Sequence, residues 1–517
     1  MLYRFWRRML PVAVLVLTSG TLDLLPVPAQ ETPPYWPTEG WHMSTPEEQG
    51  MDSTRLVAMF DFVEKAGYAL HSVLIVRHGY LVTEAYRYPY DQATPHDIRS
   101  CTKSVMSALI GIAIQQGYIA GVDQRMLDFF PERTVANLDD AKRSITLENL
   151  LTMSGGFDWP GGMLEPILSE WTRSDDWVQF VLDRPLADPP GTRFVYNTGG
   201  SHLLSAILQE TTGMTALEFA QQNLFEPPGI TADRWMSDPQ GINVGGAWLR
   251  LTPRDMAKFG ALYLNGGQWG GQQVVPADWV ATSTREHIHV GGQWLSDGYG
   301  YQWWIDRAGY FMAFGYGGQY IIVVPDQNLV VVFTSGLPTQ DFFAPKALLD
   351  TFILPAVQSS AALPPNPEAA ADLKARIGTF AHTEASAVPP LPETARRVSG
   401  QVYAFEPNDE GWQSLRLDFA EGADTAQMTL DGKPLIVGLD GVLRLNDTPR
   451  PLPGDLSVPL AARGAWKSDG VFAIDTQLVG VPESYTLTLA FDGAEVRFRV
   501  RENVSGRGHS LKASLRG

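Results

Sequence analysis

One β-rich stretch of this chain lies before residue 90, and the next begins near residue 298. The first, "HSVLIVRHGYLVTEAYRY", reads as two strands joined at His78-Gly79, a hairpin signature. The second holds "GYGYQWWID", "YFMAFGYGGQYIIVVPD" and "NLVVVFTSG". Between them, from about Val122 to Ser283, the pattern is helix and loop, with "SITLENLLTMSGG" and "FGALYLNGG" both ending on glycine. Strands at both ends with helices in the middle predict one antiparallel sheet built from distant segments. A helical insertion then sits over that sheet, an α+β architecture. Clefts between such subdomains are common ligand sites. Flanking helices are expected from Asp52 or Ser53 to Gly67, over "SVMSALIGIAIQQG" and over "FAPKALLDTFILPAV".

Around Ser359 the composition changes. Residues 359–395 are rich in Ala and Pro and read as a linker with one short helix. Residues 396–517 alternate in short segments parted by Asp-Gly and Asn-Asp turns, which predicts an all-β sandwich or barrel. It shows no catalytic cluster, so a binding or structural role is expected of it. Residues 30–358 are expected to fold and act without it.

The first thirty residues begin with Arg4, Arg7 and Arg8, continue through an apolar run from Met9 to Leu17, and reach small residues at Val27 and Ala29. Residues 1–29 read as a secretory signal peptide, which places the mature protein in the periplasm or outside the cell. An uncleaved membrane anchor is the alternative. No later run is apolar enough for a span, so no stable span is expected after cleavage. The net charge is −18, from 39 basic and 57 acidic residues. That sign repels phosphate backbones and anionic lipid, so nucleic acid is not an expected partner. A single cysteine excludes an intrachain disulfide.

The chemistry concentrates in "IRSCTKSVMS", Ile98 to Ser107. A serine hydroxyl needs a nearby base to act as a nucleophile. Lys103 follows Ser100 by three residues, so both project from one helix face. Burial can lower a lysine pKa far enough to make it that base, and a helix N-terminus favours a developing oxyanion. An N-cap serine with a solvated lysine would produce the same spacing. Cys101 points about 100° away from that face and reads as a small packed residue. No G-x-S-x-G, H-E-x-x-H or phosphate-binding glycine loop is present. His287 and His289 form a lone H-x-H with no cluster of further ligands, and neither metal nor cofactor is called for. Trp159, Trp171, Trp303 and Trp304 could line an apolar cleft, with at least two of them expected in the core.

Two further motifs complete a resemblance. "PGTRFVYNTGGSHLLS" carries Tyr196 and, two residues on, Thr198, while "GYGGQY" carries Tyr316-Gly317-Gly318. With Ser100-Cys101-Thr102-Lys103 before them, the region from Gly40 to Val357 resembles the serine β-lactamase-related family. That group includes class C β-lactamases, D,D-peptidases, esterases and 6-aminohexanoate-dimer hydrolases. The resemblance implies a β-lactamase/transpeptidase-like fold and an acyl-enzyme mechanism. Ser100 would be the nucleophile, and Lys103 with Tyr196 would handle its proton. The backbone N–H groups of Ser100 and Gln319 would form the oxyanion hole. Thr198, Tyr316, Gly317 and Gly318 would contact substrate. Tyr316 stands where the family has Lys or His, and Thr198 where it has Asn. Both departures favour an esterase or amidase acting on a small ester, amide or peptide over a β-lactamase or D,D-peptidase. A non-catalytic cell-wall or ligand-binding module of the same fold is the alternative of another kind. The oligomeric state stays open.

Overall fold

The early hairpin and the late strands meet in one sheet. The computed structural model describes residues 35–160, 162, 164–291, 296–447 and 458–516, so the signal-peptide reading falls outside the described residues. Helix α1 (Ser53–Ala66) starts where Asp52 caps the Thr54 N–H and stops at Gly67, φ 68°. Strands β1 (Leu70–Arg77) and β2 (Tyr80–Tyr86) turn at His78 and Gly79, both with positive φ. Short strands β3 (Ile288–His289), β4 (Gly298–Tyr299) and β5 (Trp304–Ile305) precede the long β6 (Phe311–Gly315), β7 (Gln319–Val324) and β8 (Leu329–Ser335). The order is β2-β1-β8-β7-β6-β5-β4-β3, antiparallel throughout, so β8 pairs with β1 across the whole helical insertion.

The central strands are apolar without alternation because both faces are covered. Val330 and Val332 pack with helices α2 (Thr102–Gln115) and α4 (Pro253–Leu264). Val331 and Phe333 point the other way, toward α1 and α5 (Pro367–Ala381). Helix α2 is buried on all sides from Thr102 to Ala113, the behaviour expected of a helix apolar all round. It anchors the helical subdomain, which includes α3 (Thr198–Thr212).

The segment read as a linker is more than a tether. Its helix α5 runs fifteen residues and docks on α1: Phe380 meets the Phe60 ring edge-on at 5.6 Å, and Arg376 pairs with Asp61 at 2.7 Å. Leu373 and Phe380 join the core. The short apolar spacing among so many alanines hides this face in the sequence.

The C-terminal region is a barrel. Its strands are β9 (Val402–Phe405), β10 (Ser414–Asp418), β11 (Thr425–Leu430), β12 (Lys433–Gly438), β13 (Arg444–Asn446), β14 (Leu460–Ser468), β15 (Val471–Leu478), β16 (Ser484–Asp492), β17 (Glu495–Glu502) and β18 (Gly508–Leu515). The order β12-β11-β10-β9-β18-β17-β16-β15-β14-β13 closes where β12 meets β14 in parallel at Gly438 and Arg463. In β17 buried and exposed residues alternate along the strand, the pattern of a sheet with one face inward. Among the described residues no helix is long and apolar enough to cross a membrane.

Candidate active site

Ser100 sits in a 3₁₀ turn, Arg99–Cys101, that leads directly into α2. The turn has an unusual backbone: Arg99 adopts φ 50°, a left-handed conformation that costs on the order of 1–2 kcal/mol outside glycine. Its fastenings are visible. The Arg99 N–H donates to Asp97 Oδ1 at 2.8 Å, its Nε lies 3.3 Å from Asp97 Oδ2, and its Nη2 pairs with Glu483 of the barrel. On the other side β6 passes at Gly315. A Cβ there would fall 2.5 Å from Ile98 O and 3.1 Å from the Ser100 N, so glycine is what lets the strand approach this turn.

Lys103 lies one helical turn along, 1% exposed. Its Nζ is 3.0 Å from Ser100 Oγ, 2.9 Å from Thr198 Oγ1 and 2.8 Å from Gly246 O. Burial lowers its pKa to about 8, against the opposing pull of the Glu165 carboxylate. Two of the three contacts have fixed sense. The Gly246 carbonyl can only accept. Thr198 spends its own proton on Glu165 Oε2 at 2.5 Å, so it must accept from lysine. When Lys103 is neutral, both its N–H bonds are therefore committed, and the lone pair faces Ser100 Oγ.

Glu165 is the residue that sequence reasoning misses. It is 3% exposed, with φ 36°. It accepts from the Thr198 N–H at 2.7 Å and from Trp159 Nε1 at 2.8 Å, besides the Thr198 hydroxyl. Nothing in "MLEPILSEW" sets this carboxylate apart from its neighbour Glu170. Tyr196 hydrogen-bonds the Ser100 side chain, and burial pushes its phenol well above the ordinary value. Its ring lies 4.8 Å from Lys103 Nζ and stacks on Trp304 at 5.8 Å.

A cleft of about 380 Å³ opens over these groups, a size suited to a small ligand. Tyr196, Trp248, Trp304, Phe314 and Leu168 give it apolar walls, and Glu483, Glu502, Ser505 and Arg507 reach it from the barrel.

The family model Beta-lactamase matches residues 55–351. The chain belongs to the Beta-lactamase family. It is a serine hydrolase of that family. It is similar to a 6-aminohexanoate-dimer hydrolase of Paenarthrobacter ureafaciens, 24% identical over 52% of this chain and 73% of the relative. A lovastatin esterase of Penicillium rubens is 28% identical over 25% of this chain and 33% of its own. A crystal structure from Bacteroides dorei, provisionally named a beta-lactamase, shares the fold with TM-score 0.50 at 19% identity, covering 60% of this chain and all of that one.

Within this Beta-lactamase-family fold, the structure brings Ser100, Lys103, Tyr196 and Thr198 together. The third motif falls differently from the resemblance. Gly317 and Gly318, with φ 78° and 88°, form the β6–β7 turn. Added Cβ atoms there would meet Pro482 and Ser335 Oγ, not the serine turn. Gln319 is fully buried, and its carbonyl accepts from Cys101 Sγ at 3.4 Å. Its side chain braces the turn through Tyr316 O, Ser335 O and the Ser335 N–H. The residue of this motif that approaches Ser100 is Gly315, four positions before Gln319. Tyr316 does line the cleft, and burial with the nearby carboxylates raises its phenol pKa, so it stays neutral at pH 7. Burial likewise pushes the Cys101 thiol up. Trp159, Trp171 and Trp303 are core residues, and Trp304 joins the cleft. His287 stacks on Tyr301 and contacts Thr282 O at 2.9 Å.

Proposed function

We propose that this protein hydrolyses small esters, and small linear amides, through an acyl-enzyme on Ser100. The carrying observation is a buried Lys103 3.0 Å from Ser100 Oγ. Neutral Lys103 takes the Ser100 proton as Oγ bonds to the substrate carbonyl carbon. Tyr196 stays a neutral phenol, which makes it a donor able to pass a proton to the departing alkoxide or amine. Lys103 then returns its proton to Tyr196, and the neutral lysine takes a proton from the water that attacks the acyl carbon; passing that proton to Oγ as the acyl C–O bond breaks releases the acid and restores Ser100. The N–H groups of Ser100 and Tyr316 replace the pair Ser100 and Gln319 as the oxyanion hole in this reading, because Gly315 is the residue that closes on the serine turn and Tyr316 carries the next N–H along the chain. The esterase and dimer-hydrolase names among the relatives support the substrate class. Tyr316, a neutral phenol where the resemblance places Lys or His, supplies no cation at that position for a β-lactam carboxylate. The basic-apolar start supports a secreted or periplasmic location.

A burst of p-nitrophenol from p-nitrophenyl butyrate, with nitrocefin as the paired substrate, tests this reading. A larger kcat/KM for nitrocefin makes it a β-lactamase instead, and no turnover of any ester or amide leaves a binding module.

A further inference from the structure

Two barrel loops reach the cleft, 479–483 between β15 and β16 and 503–507 between β17 and β18. The first is fully engaged by the hydrolase region. Gly480 O accepts the Asp97 N–H at 2.7 Å, Pro482 packs on Gly317, and Glu483 pairs with Arg99. The second is anchored in its middle and free at its end. Val504 is 1% exposed within the hydrolase core, and its carbonyl accepts from both the N–H and the hydroxyl of Thr339, at 3.0 and 2.9 Å. Glu502 folds the loop by accepting the Val504 and Ser505 N–H groups at 2.7 and 2.6 Å.

This anchored loop carries Arg507, an exposed residue, to the rim of the cleft. The other cations there are committed. Arg99 has Asp97 and Glu483, and Lys103 has its three acceptors. Among the described residues no carboxylate lies within ion-pair distance of the Arg507 guanidinium. The two carboxylates nearby have work of their own, Glu483 on Arg99 and Glu502 on its two N–H groups. In a chain of net charge −18, a cation at the mouth of the candidate site without a carboxylate partner is available to an anionic group on a substrate. A guanidinium grips a carboxylate through two parallel bonds, each about twice the strength of a neutral one.

We propose that Arg507, supplied by the C-terminal barrel, selects substrates that carry a carboxylate remote from the reacting carbonyl. This rests on the ester and amide reading above. The test uses the full chain with p-nitrophenyl butyrate and mono-p-nitrophenyl glutarate, which add the same leaving group to a neutral and an anionic acyl chain. The wild type is expected to prefer the glutarate at low salt, and high salt should erode that preference. Arg507→Gln should lower the glutarate-to-butyrate ratio of kcat/KM about tenfold, mainly through the KM for glutarate. Arg507→Lys should keep part of the ratio, and Arg507→Glu should lower it further. An unchanged ratio in the Gln and Glu variants, or a wild type without preference, overturns the proposal. If the variants do not fold, the salt dependence of the wild-type ratio decides in their place. A wild type that hydrolyses neither ester fails the ester reading itself, whereas turnover of butyrate without preference fails only this inference.

Discussion

At the residue scale, the central question is which form of Lys103 exists at working pH. With a pKa lowered to about 8, only about one molecule in ten carries the neutral amine at pH 7. The kcat/KM for a neutral ester should therefore rise with pH and level off above about 8; a profile flat from pH 6 to 9 would remove Lys103 as the base. Glu165 opposes that lowering, so Glu165→Gln should move the rising limb to lower pH while kcat falls about tenfold or more, because Thr198 loses its carboxylate acceptor. An unmoved limb would mean that the Thr198–Glu165 contact only packs. The stability sign follows from the same group. Its folded pKa lies below its unfolded value, so the unfolded chain binds more protons between about 8 and 10.5, and wild-type stability gains over that window. Compared with Lys103→Met, the wild-type melting temperature should improve in relative terms from pH 7 to pH 9.5. Ser100→Ala should cost at least about 10³-fold in turnover, while Cys101→Ala keeps activity. A fluorophosphonate label mapped to Cys101 instead of Ser100 would reverse these roles.

At the element scale, the β6–β7 turn explains why "AFGYGGQY" holds three glycines. Gly317 and Gly318 supply positive φ, whereas Gly315 supplies space beside Ile98 O. Gly315→Ala should push the strand away from the serine turn and lower kcat/KM about a hundredfold, the order of losing one oxyanion donor. Gly246 is a second such place, since its Cβ would fall 2.7 Å from Thr198 Cγ2 and 3.1 Å from Lys103 Nζ. A Gly315→Ala protein with wild-type kinetics would show that the oxyanion site does not depend on this approach.

At the scale of the whole molecule, the barrel and the hydrolase region share one site. A chain ending at Gln358 loses the Glu483 partner of Arg99, the Val504 anchor, and α5 with its contacts to α1. Against the expectation raised by composition alone, such a chain should be poorly soluble or at least about tenfold less active on p-nitrophenyl butyrate, because the strained Arg99 turn loses one of its fastenings. Full activity in that truncated chain would show that the serine turn needs no help from the barrel. What the sequence determined by itself was local: hydrophobic period, glycine stops, the His78-Gly79 turn, and the three-residue step from Ser100 to Lys103. Each depends on neighbours along the chain, so the α+β order, the all-β end and the serine–lysine pair were legible, whereas Tyr196 was named only through the family resemblance. What tertiary structure decided was long-range. In a run with three glycines a three-residue offset leaves no mark, so only the packing of β6 against the serine turn selects Gly315. Glu165 resembles any loop carboxylate until Thr198, thirty-three positions away, closes on it. Arg507 and Glu483 reach the cleft only because the barrel folds back onto a turn nearly four hundred residues earlier, with Arg99 and Glu483 separated by 384 positions.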